Sequence, residues 1–359
     1  MSTLKVDGIR SNSATSDAIT LASDGTCTAN ITNNLSNRNL IINGACLVNQ
    51  RGSSSTSGGY QTVDRFGAYY TGGAVTQSQG SLTSGSPFEK GFTKYLRITN
   101  TTANTGTDGS RSIIYKLEAQ DIANSGWNYK SSTSYLTFSF WVRSSVSQEF
   151  YILAQTKDGT QQAYPFSIGT LSENTWTKVT KSIPGNSNLQ FDNNTENGFQ
   201  FFIYAFLGTD YTSSSVSLNA WGAYSSSART PDYTNTWAAT TNATFDITGL
   251  QLEVGSVATD FEHRSYGQEL ALCQRYFYKP DINTYLQPAY QYGSSNKMSL
   301  VEFPTTMRAT PTCTKTYSNT GSSFTEYNSS ESHYKAYVSS AYNDVYTYYL
   351  TAFEASAEL

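Results

Sequence analysis

Between Asp260 and Arg264 the chain sets two carboxylates, an imidazole and a guanidinium close together: Asp260, Glu262, His263 and Arg264. Paired carboxylates do general acid–base work when a substrate cleft holds them several ångström apart. On an extended segment Asp260 and Glu262 project to the same side, so that chemistry is sterically open. The competing reading is a joint, in which the same groups fix how the chain leaves one module and enters the next. The sequence favours the joint. The second histidine, His333, is distant, and no GxSxG, HExxH or glycine-rich phosphate loop occurs. No catalytic residue, cofactor or metal site is therefore expected.

The elements flanking this cluster are legible. Phe245 and Ile247 lie on one strand phase, and Leu250, Leu252 and Val254 on the other. The slip falls at Gly249 and predicts a β-bulge. Ser265-Tyr266-Gly267-Gln268 fits a capping box. Leu270, Cys273 and Phe277 then recur at helical spacing, with Leu272 and Tyr276 on a second line, until Pro280. The pattern predicts a helix over 266–278 with apolar positions on several sides. Such a helix must be covered on several sides, by a second domain or by its copies in sister subunits.

The rest of the chain reads as mainly β. Charged residues make up 14% of 359 residues, well below the usual quarter, while 27 Tyr and 18 Phe favour strands. Leu136, Phe138, Phe140 and Val142 share one face, and Asp158-Gly159 reads as a hairpin turn between two strands. Short strands with frequent turn signals over 60–255 indicate a sandwich or barrel. Residues 1–39 are too polar to order alone. Asn43-Gly44 marks a tight turn. Net charge is −4 with no basic block, which argues against nucleic-acid binding. No apolar run suits a signal peptide or a membrane span. Cys27, Cys46, Cys273 and Cys313 form no CxxC pair and read as free thiols of a protein made in a reducing cytoplasm.

Aromatic side chains are the binding candidates, because sugar rings stack on flat apolar faces. Trp141 and Trp176 sit in strand patterns and read as packing. Trp221, Tyr224, Tyr233 and Trp237 lie in the Gly/Ser/Thr-rich stretch 208–243, where they either bind glycan or pin a long loop to the sandwich. Val338–Thr351 is so rich in tyrosine that alternation exposes some rings, which makes Tyr342, Tyr346 and Tyr348 further candidates.

A dispersed signature carries a resemblance. It runs from Asn39-Leu-Ile-Ile-Asn-Gly44 through Asn49-Gln-Arg-Gly52, Asp64-Arg65-Phe66 and Phe138-Ser-Phe-Trp-Val-Arg143. It continues through Ile247–Gly255 and Ala258–Tyr276, with Phe303-Pro-Thr-Thr-Met-Arg-Ala-Thr-Pro311 further on. This resembles tail-fibre and receptor-binding proteins of tailed bacteriophages of the marine and cyanophage type.

The resemblance implies a homotrimeric fibre on the virion tail, made in the host cytoplasm. Residues 1–39 would dock on a tail, adaptor or baseplate protein. A jelly-roll sandwich similar to carbohydrate-binding modules would span 40–264, and a linking helix near the trimer axis 265–280. A β-rich tip over 281–359 would meet a host surface glycan or lipopolysaccharide. Leu270, Cys273, Phe277, Arg264 and Arg275 would then face sister subunits. The alternatives are a tailspike that cleaves surface polysaccharide, and a structural virion fibre without a receptor of its own.

Overall fold

The computed structural model describes residues 5–15, 17–21, 23, 27–29, 37–280, 290–292, 296–318, 324–339 and 349–359. Three short strands come first: β1 (Gly8–Ile9), β2 (Ile19–Leu21) and β3 (Cys27–Ala29), in one antiparallel meander. The sandwich strands follow. They are β4 (Ser54–Ser55), β5 (Phe66–Thr71), β6 (Ala74–Ser81), β7 (Lys94–Thr102), β8 (Ser110–Glu118) and β9 (Tyr135–Ser144). Next come β10 (Gln148–Thr156), β11 (Gln162–Leu171), β12 (Thr177–Pro184), β13 (Asn197–Leu207), β14 (Gly222–Ala223) and β15 (Thr244–Val254).

These strands form two six-stranded sheets. The first runs β14-β11-β10-β13-β8-β5 and the second β12-β9-β15-β7-β6-β4. The chain crosses repeatedly between them, as a jelly-roll sandwich requires. Alternation explains the core. Leu136, Phe138, Phe140 and Val142 point inward from β9, and Phe199, Phe201 and Ile203 from β13. Phe138 stacks on Phe201 across the gap, with centroids 4.4 Å apart. Such a pair adds about 1 kcal/mol beyond its burial.

The expected bulge is present. Pairing of β15 with β9 shifts register between Thr248 and Gln251, and Gly249 has φ 65°. Beyond the bulge β7 no longer pairs with β15, and residues 39–44 take its place. Leu40 N–H donates to Leu252 O and Leu250 N–H to Gly44 O, each at 2.9 Å. A Cβ on Gly44 would lie 2.0 Å from Leu250 O, so only glycine allows this approach. Asn43-Gly44 does turn the chain, but no strand flanks it.

The helix spans Tyr266–Gln274 with the expected capping box, and ends earlier than its apolar spacing predicts. The reason is pairing: Phe277–Tyr278 forms β16 and joins β22 (Tyr349–Ser356). The C-terminal unit holds β16, β22 and β19 (Thr312–Ser318) in one sheet. A second sheet takes β17 (Tyr290–Tyr292), β18 (Asn296–Glu302), β21 (His333–Ser339) and β20 (Phe324–Ser329). Its own small core centres on Val301, Met307, Tyr334 and Phe353. No described helix is long and apolar enough to cross a membrane.

A buried ionic joint fastens this unit to the sandwich. Arg65 pairs with Glu358, stacks 3.4 Å from the Tyr276 ring and donates to Lys116 O at 2.7 Å. Arg51 bridges Asp64 at 3.2 Å and Glu358 at 3.0 Å, and lies 3.6 Å over Phe277. Arg308 donates to Ala357 O at 2.6 Å and Thr195 O at 2.9 Å. Arg65 is 1% exposed and Glu358 7%, so removing either strands a buried charge. Glu358→Ala should lower stability by about 3–5 kcal/mol. Denaturant unfolding of the full chain measures this, with early proteolysis of 281–359 as its signature.

Burial raises the Asp64 carboxyl to about 6, against the opposing pull of Arg51. Its folded value lies above its unfolded one, so the folded state binds the extra proton between about pH 4 and 6. Its contribution to stability therefore rises as pH falls through that window. Asp64→Asn should abolish this gain, of about 2–3 kcal/mol. Parallel denaturation of both proteins at pH 7 and pH 4 isolates it from the other carboxyls.

Candidate functional site

The acid-rich segment after β15 is a strap. The Glu262 carboxylate accepts the backbone N–H groups of Asn37 at 2.6 Å and Asn39 at 2.8 Å. Glu262 N–H donates to Gln251 Oε1 at 2.8 Å. Arg264 donates to Asn39 O and Ile41 O, and lies 3.4 Å from Glu269. Glu269 in turn accepts Asn43 N–H. The Asp260 carbonyl takes Arg38 Nη2 at 2.6 Å. Glu262, one of the two acids that looked like an acid–base pair, thus satisfies backbone N–H groups of 37–39, while Asp260 offers only its carbonyl, to the Arg38 side chain. With both Glu262 oxygens so committed, Asp260 and Glu262 form no acid–base pair here.

Several expected interface residues are already occupied within one chain. Cys273 and Phe277 are buried against the sandwich and the C-terminal strand. Arg275 grips Glu118 with two hydrogen bonds of 2.9 and 2.8 Å, and Tyr276 OH joins at 2.6 Å. Burial alone would raise the Glu118 carboxyl, but these donors outweigh it and hold it below the usual range. Arg264 is taken up by the strap. Leu270 and Leu272 remain half-buried, and Tyr266 (58%) and Val257 (65%) are exposed.

The loop aromatics also pin rather than present. Trp237 is fully buried, and its indole N–H donates to Thr244 O at 3.1 Å. Tyr233 OH sits against the Tyr151 backbone, accepting its N–H at 3.2 Å, and burial raises this phenol well above its ordinary value. Trp237 offers no face and Tyr233 is half-buried, which fits pinning, the other of the two readings left open by the sequence. Trp221 is half-buried on Tyr164 and donates to Pro184 O at 2.6 Å. Tyr224 packs against Leu153 and Tyr204 in the same outer cluster. Tyr342, Tyr346 and Tyr348 lie outside the described residues.

Sequence reasoning passed over the outer face of the second sheet. Trp141 and Arg143 alternate with the inward residues of β9 and so point outward. The register builds rows there. Lys178 on β12 stands opposite Trp141, with Thr248 on its other side. One row along, Arg143, Asp246, Arg97 and Ser78 stand side by side on β9, β15, β7 and β6. Both guanidiniums clasp one carboxylate: Arg97 at 2.7 and 2.9 Å, Arg143 at 2.9 and 2.7 Å. Arg143 also lies 4.7 Å over the Trp176 ring. The Tyr95 ring lies across Gly80 of the next strand, where a Cβ would fall 2.1 Å from it.

Beside these rows is a cavity of about 320 Å³, lined among others by Trp141, Phe261, His263, Lys178, Lys90 and Asp260. The bulge creates it. Gly249 and Phe92 form part of the lining, Phe92 packs edge-on against Phe261 at 4.8 Å, and His263 reaches Lys90 O at 3.0 Å. The half-buried indole of Trp141 packs against the apolar cluster of Leu82, Phe92 and Tyr95 and borders the cavity together with Lys90, Lys178 and Asp260. This is the composition of a small polar-ligand site: a flat apolar surface with convergent donors and acceptors.

Burial pushes the Cys46 thiol up to about 12 and Cys313 to about 11, and raises Cys273 strongly. No group of three or more metal-ligating side chains occurs among the described residues. The one signal for the site in the sequence was Trp141 in phase with polar neighbours. Phe261 and His263 could not be placed beside it without knowing the bulge and the strap.

No protein-family model matches the chain, and no curated protein matches it. Solved structures with partial similarity include the enzymatically active domain of tailspike protein 4 from bacteriophage CBA120. It shows 9% identity and a TM-score of 0.33, covering 60% of this chain and 21% of that one. The xylan-binding CBM22-2 domain of Paenibacillus barcinonensis Xyn10C shows 12% identity and a TM-score of 0.30, covering 54% of this chain and 92% of the domain. The N-terminal cellulose-binding domain of Cellulomonas fimi β-1,4-glucanase C shows 10% identity and a TM-score of 0.29, covering 58% and 97%. At these scores the fold assignment rests on the strand order and packing described above.

The bulge geometry is testable. At φ 65° a β-branched side chain is strained, and a Cβ on Gly249 would lie 2.7 Å from Phe92. Gly249→Val should cost about 2–3 kcal/mol and lower the melting temperature with the fold retained. An unchanged melting temperature would contradict the account of the cavity.

Proposed function

We propose that this chain is a bacteriophage tail fibre that attaches the virion to a host surface glycan and acts by binding rather than cleavage. The observation that carries the reading is the Trp141 cavity on the outer face of the second sheet. A pyranose ring stacks on a half-exposed indole while Lys178, Lys90 and Asp260 meet its hydroxyls. The phage assignment is supported by the sequence signature of residues 39–276 and 303–311. The non-catalytic reading is supported by the commitment of Glu262 and Glu269 to backbone N–H groups.

Residues 1–39 dock on a tail, adaptor or baseplate protein in this account, and the fibre is a homotrimer. Tyr266, Leu270, Leu272 and Val257 supply apolar surface for the sister subunits. Each site is weak alone, and three copies per fibre raise avidity by about 10² or more. Multi-angle light scattering of the full chain should give three times the 39.4 kDa chain mass. A monomer would overturn the fibre assembly.

Binding of purified host surface polysaccharide, measured by calorimetry, tests the site. Trp141→Ala should weaken it at least tenfold, equivalent to about 1.4 kcal/mol, with little change in melting temperature. Trp221→Ala should leave binding unchanged. The reverse pattern would move the site to the 208–243 loop.

A further inference from the structure

Charge around the Trp141 cavity is mainly positive, with two lysines against one carboxylate, Asp260. Lys90 and Lys178 line it, with His263 between the aromatic rings. The adjoining row adds Arg97 and Arg143, which share the single carboxylate of Asp246. Asp246 is fully buried between them, so the row presents guanidinium edges and one net positive charge, while its carboxylate is withdrawn. Glu253, on the same face, is likewise buried, beside Arg38. Asp260 at the rim is the opposing acid. The chain as a whole carries −4, so this surface runs against its own protein's charge. Local fields of this kind select counter-charged ligands and speed their capture.

The aromatic geometry says which surface is left. Arg143 covers one face of Trp176, and Tyr95 lies beneath both arginines at 5.3 and 5.6 Å. Trp141 has no such cation over it among the described residues, and Lys178 stands beside it across the ladder. A stacking surface flanked by ammonium groups fits a sugar ring bearing an anionic substituent. We propose that this face binds an anionic saccharide, its ring on Trp141 and its acid group toward Lys178, Lys90 and His263. The inference rests on the glycan-binding reading above and adds the charge class of the ligand. Arg97 and Arg143 extend the same preference to the next acidic residue along a polymer.

The test is calorimetry on the full chain with three probes of matched length: oligogalacturonate, neutral oligogalactose and sulfated oligogalactose. The carboxylated or sulfated probe should bind at least tenfold more tightly than the neutral one and weaken as sodium chloride rises from 50 to 300 mM. Which of the two binds identifies the anion. Lys178→Gln should reduce that affinity several-fold, and clearly more than it reduces neutral-probe binding, while leaving the melting temperature unchanged. Equal or tighter binding of the neutral probe, still lost in Trp141→Ala, would overturn the anionic assignment and leave the glycan site standing. Failure of all three probes would also overturn it, and host polysaccharide binding then judges the glycan reading separately.

Discussion

Arg65 is the constraint around which the molecule is arranged. Its guanidinium is removed from water, stacked on Tyr276 and neutralised by Glu358. A charge so placed admits little play, because losing any partner leaves it buried and unpaired. It ties the edge strand of the first sheet, the end of the helix and the last strand of the C-terminal unit into one contact. The direction in which the C-terminal unit leaves the sandwich follows from it.

That arrangement divides the two sheets by role. The first sheet is covered outside: Lys116 and Arg65 meet the end of the chain, and Tyr211, Tyr224 and Tyr233 close the loop over Leu153 and Tyr204. The second sheet is covered more loosely, by the Phe92 and Phe261 cluster and the strap, which leave the Trp141 cavity beside them. The division also accounts for the strap. Glu262, Arg264 and Glu269 hold residues 37–43 beside β15, which completes that sheet and leaves the bulge at Gly249 to open the cavity. The carboxylates of Glu262 and Glu269 therefore hold backbone N–H groups of that segment.

Much of the fold was legible because one sheet face is buried and alternation records it. Leu136 to Val142, the Asp158-Gly159 hairpin and the phase slip at Gly249 all followed from period and turn chemistry. The capping box at Ser265 marked the helix start correctly. Its end was misread because Phe277 keeps helical spacing while pairing with β22, a contact about 80 residues away in sequence. The site was less legible for a related reason. Trp237 and Trp221 lie in a loop-like composition, yet burial decides their role and depends on what the loop packs against. Trp141 lies in a strand and reads as packing; it does pack, on the outer face against Phe92 and Tyr95, and it also borders the cavity. Its partners Phe261, His263 and Lys90 come from segments that only the strap and bulge bring together.

The most direct test of the account is the indole N–H region of the NMR spectrum, assigned by single substitutions and followed during titration with host surface polysaccharide. The account predicts that the Trp141 signal shifts first and furthest, with Trp176 following, while the buried Trp127 and Trp237 stay still. Shifts confined to Trp221, or none at all with bound polysaccharide present, would contradict the placement of the glycan site on the second sheet.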